Sequence, residues 1–108
     1  MAGSGVSGYS DGVGTAASFS YPVVVAVSTD GLIYVTDYSN NNIRRVTSSG
    51  QVTTVTLTRT LSGPTGIEID SSGNLFIAEY NGHRISRTRG LKFISSWRYD
   101  ILCLLHDY

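Results

Sequence analysis

Cysteine is nearly absent: Cys103 stands alone among the 108 residues, so no disulfide can form within the chain. Charge is sparse as well. Eight basic residues cancel eight acidic ones, so the global field gives no reason to expect nucleic acid or an anionic membrane as partner, and neutrality protects little against self-association. No apolar run approaches the roughly 18 residues of a membrane-crossing helix. The first residues, MAGSGVSGYSDG, lack both the charged and the apolar stretch of a secretory leader, which leaves a cytoplasmic default and no positive assignment. Asn40, Asn41, Asn42, Asn74 and Asn81 all miss the Asn-x-Ser/Thr rule for glycosylation.

Proline is scarce too, and its two positions are informative. Pro22 and Pro64 lie 42 residues apart, and each opens a copy of one segment. The first copy reads PVVVAVSTDGLIYVTDYSNNNIRRV; the second reads PTGIEIDSSGNLFIAEYNGHRISRT. They align without a gap. Gly31 falls on Gly73, Tyr38 on Tyr80, Ile43 on Ile85 and Arg45 on Arg87, while Val25/Ile67, Tyr34/Phe76 and Asp37/Glu79 keep their character. A period of this length built from short strands and turns points to a β-propeller or a similar array of stacked sheets.

The strands follow from the pattern. Residues 23–27 (VVVAV) form an uninterrupted apolar run, as the inner strand of a propeller blade should. After the turn at Thr29-Asp30-Gly31 come a second strand at 32–36, a polar turn at 37–41 and a third strand at 42–46, whose charges suggest a position nearer the rim. Residues 51–58 alternate as an outer strand with one wet face. The second copy repeats the cycle at 65–70, 74–78 and 84–88. Four segments result: a Gly/Ser-rich loop at 1–20, a first repeat at 21–62, an incomplete second repeat at 63–90, and a divergent tail at 91–108. In the tail, Ile94, Trp97, Ile101, Leu104 or Leu105, and Tyr108 recur at steps of three or four, the spacing of a short amphipathic helix, with a strand at 91–97 as the competing reading.

These residues resemble NHL repeats over about 8–90. The resemblance is carried by Pro22…Val25-Ala26-Val27, Ile33-Tyr34-Val35-Thr36-Asp37 and Asn41-Asn42-Ile43-Arg44, and again by Pro64-Thr65-Gly66-Ile67-Glu68-Ile69-Asp70, Leu75-Phe76-Ile77-Ala78-Glu79 and His83-Arg84-Ile85. Val24, Ser28 and Glu79 depart from the family's preferred Gly, Asp and Asp. The resemblance implies an all-β fold: a partial propeller of about two antiparallel four-stranded blades, with the short C-terminal segment helical. A propeller closes with about four to eight blades. Two blades leave sheet faces open, lined by Val23, Val25, Val27, Ile33 and Val35, so the chain is expected to be a piece of a longer propeller or to pair with further copies.

The resemblance further implies a non-catalytic scaffold that binds a protein or small ligand through its loop-bearing faces. Tyr38, Asn40, Asn41, Tyr80, Asn81 and His83 are the candidate contact residues, tyrosine being favoured at interfaces. Asp37, Glu79, Gly31 and Gly73 are expected to fix turns, each acid accepting backbone N–H bonds from the turn that follows it. The alternatives are an RNA-binding piece, suggested by Arg84, Arg87, Arg89, Lys92 and Arg98, and a piece of a lactonase- or lyase-like enzyme. No cofactor or metal is expected: His83 and His106 lack neighbours at ligand spacing, Asp70-Ser71-Ser72-Gly73-Asn74 lacks the later Glu of a calcium loop, and Gly3-Ser4-Gly5-Val6-Ser7-Gly8 has no strand before it and no helix after it. Cys103, in an apolar run, reads as a small hydrophobe.

Overall fold

The computed structural model describes residues 1–89 and 102–107. In chain order the strands are β1 (Gly12–Val13), β2 (Pro22–Val27), β3 (Ile33–Asp37), β4 (Asn42–Val46), β5 (Gln51–Thr54), β6 (Thr56–Leu57), β7 (Pro64–Ile69), β8 (Leu75–Glu79), β9 (Arg84–Arg89) and β10 (Leu102–Asp107). They make two five-stranded sheets, ordered β1-β5-β4-β3-β2 and β6-β10-β9-β8-β7. Each is one blade. Successive strands β2 to β5 and β7 to β9 pair antiparallel as meanders.

The repeat is reproduced bond by bond. At the first hairpin of each blade, Gly31 and Gly73 take φ of 85° and 86°, a region open to glycine at no steric cost. The residue three before each glycine closes the turn: the Leu32 N–H donates to the Ser28 hydroxyl, and the Asn74 N–H to the Asp70 carboxylate. The Asn74 backbone bond is the main reason the Asp70 carboxyl lies below its ordinary range, helped by Ser72 and by the Asn74 side chain. Both inner strands carry a bulge after their proline. Asn41 and His83, also equivalent, both sit in the left-handed region at φ 56° and 53°.

The core lies between the blades. From the first blade come Val24, Ala26, Leu32, Tyr34, Ile43 and Val55; from the second Ile67, Ile69, Leu75 and Ile77; Leu61 of the connecting loop completes it. Alternation along β2 therefore buries Val24 and Ala26 and leaves Val23, Val25 and Val27 on the opposite, open face, so the uninterrupted apolar run is covered on one side only.

Several expectations change. Residues 51–58 do not form one strand. Val55 interrupts them, and Thr56–Leu57 crosses to the second sheet, where it pairs parallel with β10. The Gly/Ser-rich start is not a free loop: β1 adds to the outer edge of the first sheet beside β5, the Gly8 N–H donates to the Phe19 carbonyl, and Ala17 is fully buried. The helical spacing of the tail is not realised over Leu102–Asp107, which is a strand antiparallel to β9. The free edge of β9 offers unpaired N–H and C=O groups, and a short apolar run such as ILCLL suits either period, so edge pairing decides it. The rest of that expectation, including a strand at 91–97, lies outside the described residues.

Candidate functional site

Strand β3 ends on Asp37 and β8 ends on Glu79, both buried. Each carboxylate reaches back rather than forward: Asp37 accepts the Ser20 N–H at 2.7 Å and Glu79 accepts the Ser62 N–H at 2.9 Å, from the loops that lead into each blade. The following turn contributes only to Asp37, through the Asn40 side-chain amide.

What neutralises each acid differs. Arg44 on β4 is fully buried, although its strand reads as a rim strand. Its guanidinium donates to the Asp37 carboxylate (2.9 Å), the Asp11 carboxylate (2.8 Å), and the Ser18 (2.7 Å) and Ser10 (2.8 Å) carbonyls, with the Phe19 ring stacked on it at 4.8 Å. Desolvating a guanidinium is tolerated when it is paired and its donors are filled. Arg44 thereby clamps the N-terminal loop onto the first blade. One repeat later the arginine position holds Ser86, and the cation comes from the connecting loop instead. Arg59 donates to both oxygens of Glu79 at 3.1 and 2.8 Å, Arg84 adds a contact at 3.3 Å, and the Ser86 hydroxyl donates as well. Burial alone would raise the Glu79 carboxyl; the bonds from Arg59, Ser86, Ser62 and Arg84 outweigh it and hold the group at about 2. It is a saturated acceptor, with no proton to give near neutral pH.

The predicted contact residues fall on the loop-bearing face but divide by role. The Tyr38 hydroxyl and the Asn81 amide bond across the two blades at 3.1 Å, the Asn41 carbonyl oxygen accepts the Gly63 N–H, and Tyr21 packs edge-on against Tyr38. The Asn40 amide turns inward to the Gly8 carbonyl. Tyr80, 69% exposed, and His83 stand free on the surface of this face. Arg84 is partly spent on Glu79, and alternation sends Arg87 to the other side of the sheet; the Arg89 side chain, Lys92 and Arg98 lie outside what is described. Among the described residues, no three of His, Cys, Asp or Glu converge as metal ligands, and no helix is long and apolar enough to cross a membrane. Sequence reasoning missed Arg44, Asp11 and Arg59; an arginine and an acid on neighbouring strands is the only signal that pointed to them.

A family profile described as the teneurin NHL domain matches residues 7–98. The chain belongs to the teneurin NHL domain family. As an NHL-type chain it shares its fold with several solved structures. Virginiamycin B lyase from Staphylococcus aureus superposes with a TM-score of 0.63 at 24% identity, over 89% of this chain and 29% of the lyase. An auxiliary nutrient binding protein from Bacteroides thetaiotaomicron gives 0.70 at 25% identity, over 77% of this chain and 26% of its own. A streptogramin B lyase gives 0.59 at 29% identity, over 82% and 29%. The chain thus spans less than a third of the length of each of these structures. No curated protein matches it.

Proposed function

We propose that this NHL-type chain is a non-catalytic interaction scaffold that holds a protein or small-ligand partner on its loop-bearing face. The supporting observation is how its acids are used. Asp37 and Glu79, which a propeller enzyme would turn to chemistry, are buried and saturated by arginine and backbone donors, whereas Tyr80 and His83 remain exposed beside them. Tyrosine supplies contact area at small entropic cost, so Tyr80 leads the contact set, with Tyr38 behind it. The wild-type chain should retain a partner that Tyr80→Ala loses at least tenfold in affinity, with the melting temperature unchanged. Undiminished retention by Tyr80→Ala and by Tyr38→Ala would overturn the reading.

A second reading has one observation in its favour: two of the structural neighbours are lyases, one at 29% identity. It predicts disappearance of virginiamycin B on incubation with the chain. An RNA-binding role would show as an affinity that falls steeply with salt.

A further inference from the structure

The blade-to-blade interface inside the chain has two halves, and each recurs, unpartnered, at the opposite end of the molecule. On the first blade, the half that meets the second is built by Val24, Ala26, Tyr34, Ile43 and Arg45; Ala26, Tyr34 and Arg45 lie side by side across β2, β3 and β4. One repeat later, the same places on the second blade hold Gly66, Glu68, Phe76, Ile85 and Arg87, with Glu68, Phe76 and Arg87 again in register. These alternate with Ile67, Leu75 and Ile77, which face the first blade, so they form the far face of the second, where Ile85 is 44% exposed. Its counterpart Ile43 is 0% exposed.

The other half of the interface is the face of the second blade that carries Ile67, Ile69, Leu75 and Ile77. Its counterparts on the first blade are Val25, Val27, Ile33 and Val35, all of them β-branched and apolar. They line an apolar groove of about 530 Å³ with Pro22, Phe19 and Val46. Val23, Val25 and Val27 are 48%, 60% and 62% exposed there. Phe19 stands where Leu61 stands in the formed interface, and Leu61 is 2% exposed. The N-terminal residues cover the outer end of this face beside Gly50 and leave the β2 end open.

We propose that the chain assembles head to tail with further copies of itself, the Val25 face of one copy seated on the Ile85 face of the next. The proposal rests on the reading of the chain as part of a propeller and specifies a partner, a second copy. The internal interface is the template: aromatic replaces aromatic, Ile replaces Ile, Arg replaces Arg, and a β-branched face replaces a β-branched face. Such contacts are heterologous, and they close into a ring when the rotation per copy divides a full turn. With about four to eight blades per propeller, closure takes between about two and four copies. Apolar area of this extent rarely stays uncovered on a soluble monomer.

The experiment uses two single variants and their mixture, followed by light scattering on the eluting peak. Val25→Glu blocks one face and leaves the Ile85 face intact; Ile85→Glu does the reverse. The wild-type chain should elute as one discrete oligomer. Each variant alone should be a folded monomer by circular dichroism, and the mixture should give a dimer with one copy of each. Both positions are open to solvent, so the charge does not strain the fold; Val27→Glu replaces Val25→Glu should that chain fail to fold. A folded wild-type monomer, a polydisperse wild-type aggregate, or a mixture that stays monomeric overturns the proposal. The loop-face reading is judged separately, by Tyr80→Ala, and survives or fails whatever the mass.

Discussion

The two blades solve one electrostatic problem with different residues. Each ends its second strand on a buried carboxylate that receives a backbone N–H from the loop before the blade. In the first blade the counter-charge is Arg44, on the adjacent strand and closed off from water. In the second it is Arg59, which arrives from a loop and keeps 29% of its side-chain surface exposed. The acid changes with it: Glu79 is a methylene longer than Asp37 and reaches the loop cation and the Ser86 hydroxyl together. A repeat therefore preserves the position of a charge pair more strictly than the strand that supplies its cation. The consequence is an asymmetry of stakes, since Arg44 also ties down residues 10–19 while Arg59 holds only its own loop and strand end.

The sharpest way to break the comparison is to remove both cations in turn. Arg44→Ala leaves Asp37 buried without its partner and frees the Ser10 and Ser18 carbonyls, at a cost of about 3–5 kcal/mol. Arg59→Ala leaves Glu79 with Arg84, Ser86 and the Ser62 N–H, and should cost roughly 1–2 kcal/mol. Urea unfolding of the two variants gives the ratio. Equal losses would mean that the loop arginine holds its blade as firmly as the strand arginine holds its own.

Core packing gives a contrast of similar size. Ile43→Ala opens a cavity in the inter-blade core and should cost about 2–5 kcal/mol. The equivalent Ile85→Ala, on the half-exposed far face, should cost less than about 1 kcal/mol when measured below the concentration at which copies associate. A large loss from Ile85→Ala at high dilution would mean that its face is already covered within one chain.

Acid distinguishes the blades next. The Glu79 carboxyl falls from 4.5 in its ordinary state to about 2 in the folded chain. A group whose folded value is depressed contributes stability that is fully present above the unfolded value and is lost as pH falls through the folded one. The contribution, on the order of 3 kcal/mol, should drain away between about pH 4.5 and 2. Asp70, lowered as well, titrates in the same direction. Thermal melts across that range should show a slope that flattens in Glu79→Gln; an unchanged slope would place the acid sensitivity elsewhere.

The repeat makes most of this fold legible. Proline, turn glycine and alternating strands set the register to the residue, so that 42–46 reads with the bounds the structure shows, and Val23, Val25 and Val27 read as an open face. The candidate site is less legible, for physical reasons. Charge on β4 suggests solvent, because nothing local shows that Asp11 and two carbonyls from residues far away in the chain will fill the Arg44 donors. The N-terminal segment lacks hydrophobic period, and its order comes from β5 and Arg44 rather than from itself. Leu102–Asp107 misleads because its neighbour β9, not its own spacing, sets its conformation.

The smallest effect concerns the loop-bearing face, where the blades touch through Tyr38 and Asn81. Neither side chain is buried, so water can replace the bond when either partner is removed. Tyr38→Phe and Asn81→Ala should each cost roughly 0.5 kcal/mol, and the double variant little more than either alone, since both remove the same bond. Tyr38→Ala should cost more than Tyr38→Phe, because it also strips the ring that packs edge-on against Tyr21. A double-mutant cycle in urea measures the coupling. Additive losses would mean that the two side chains act separately, and that the blades are held at this face by the Asn41 to Gly63 bond alone.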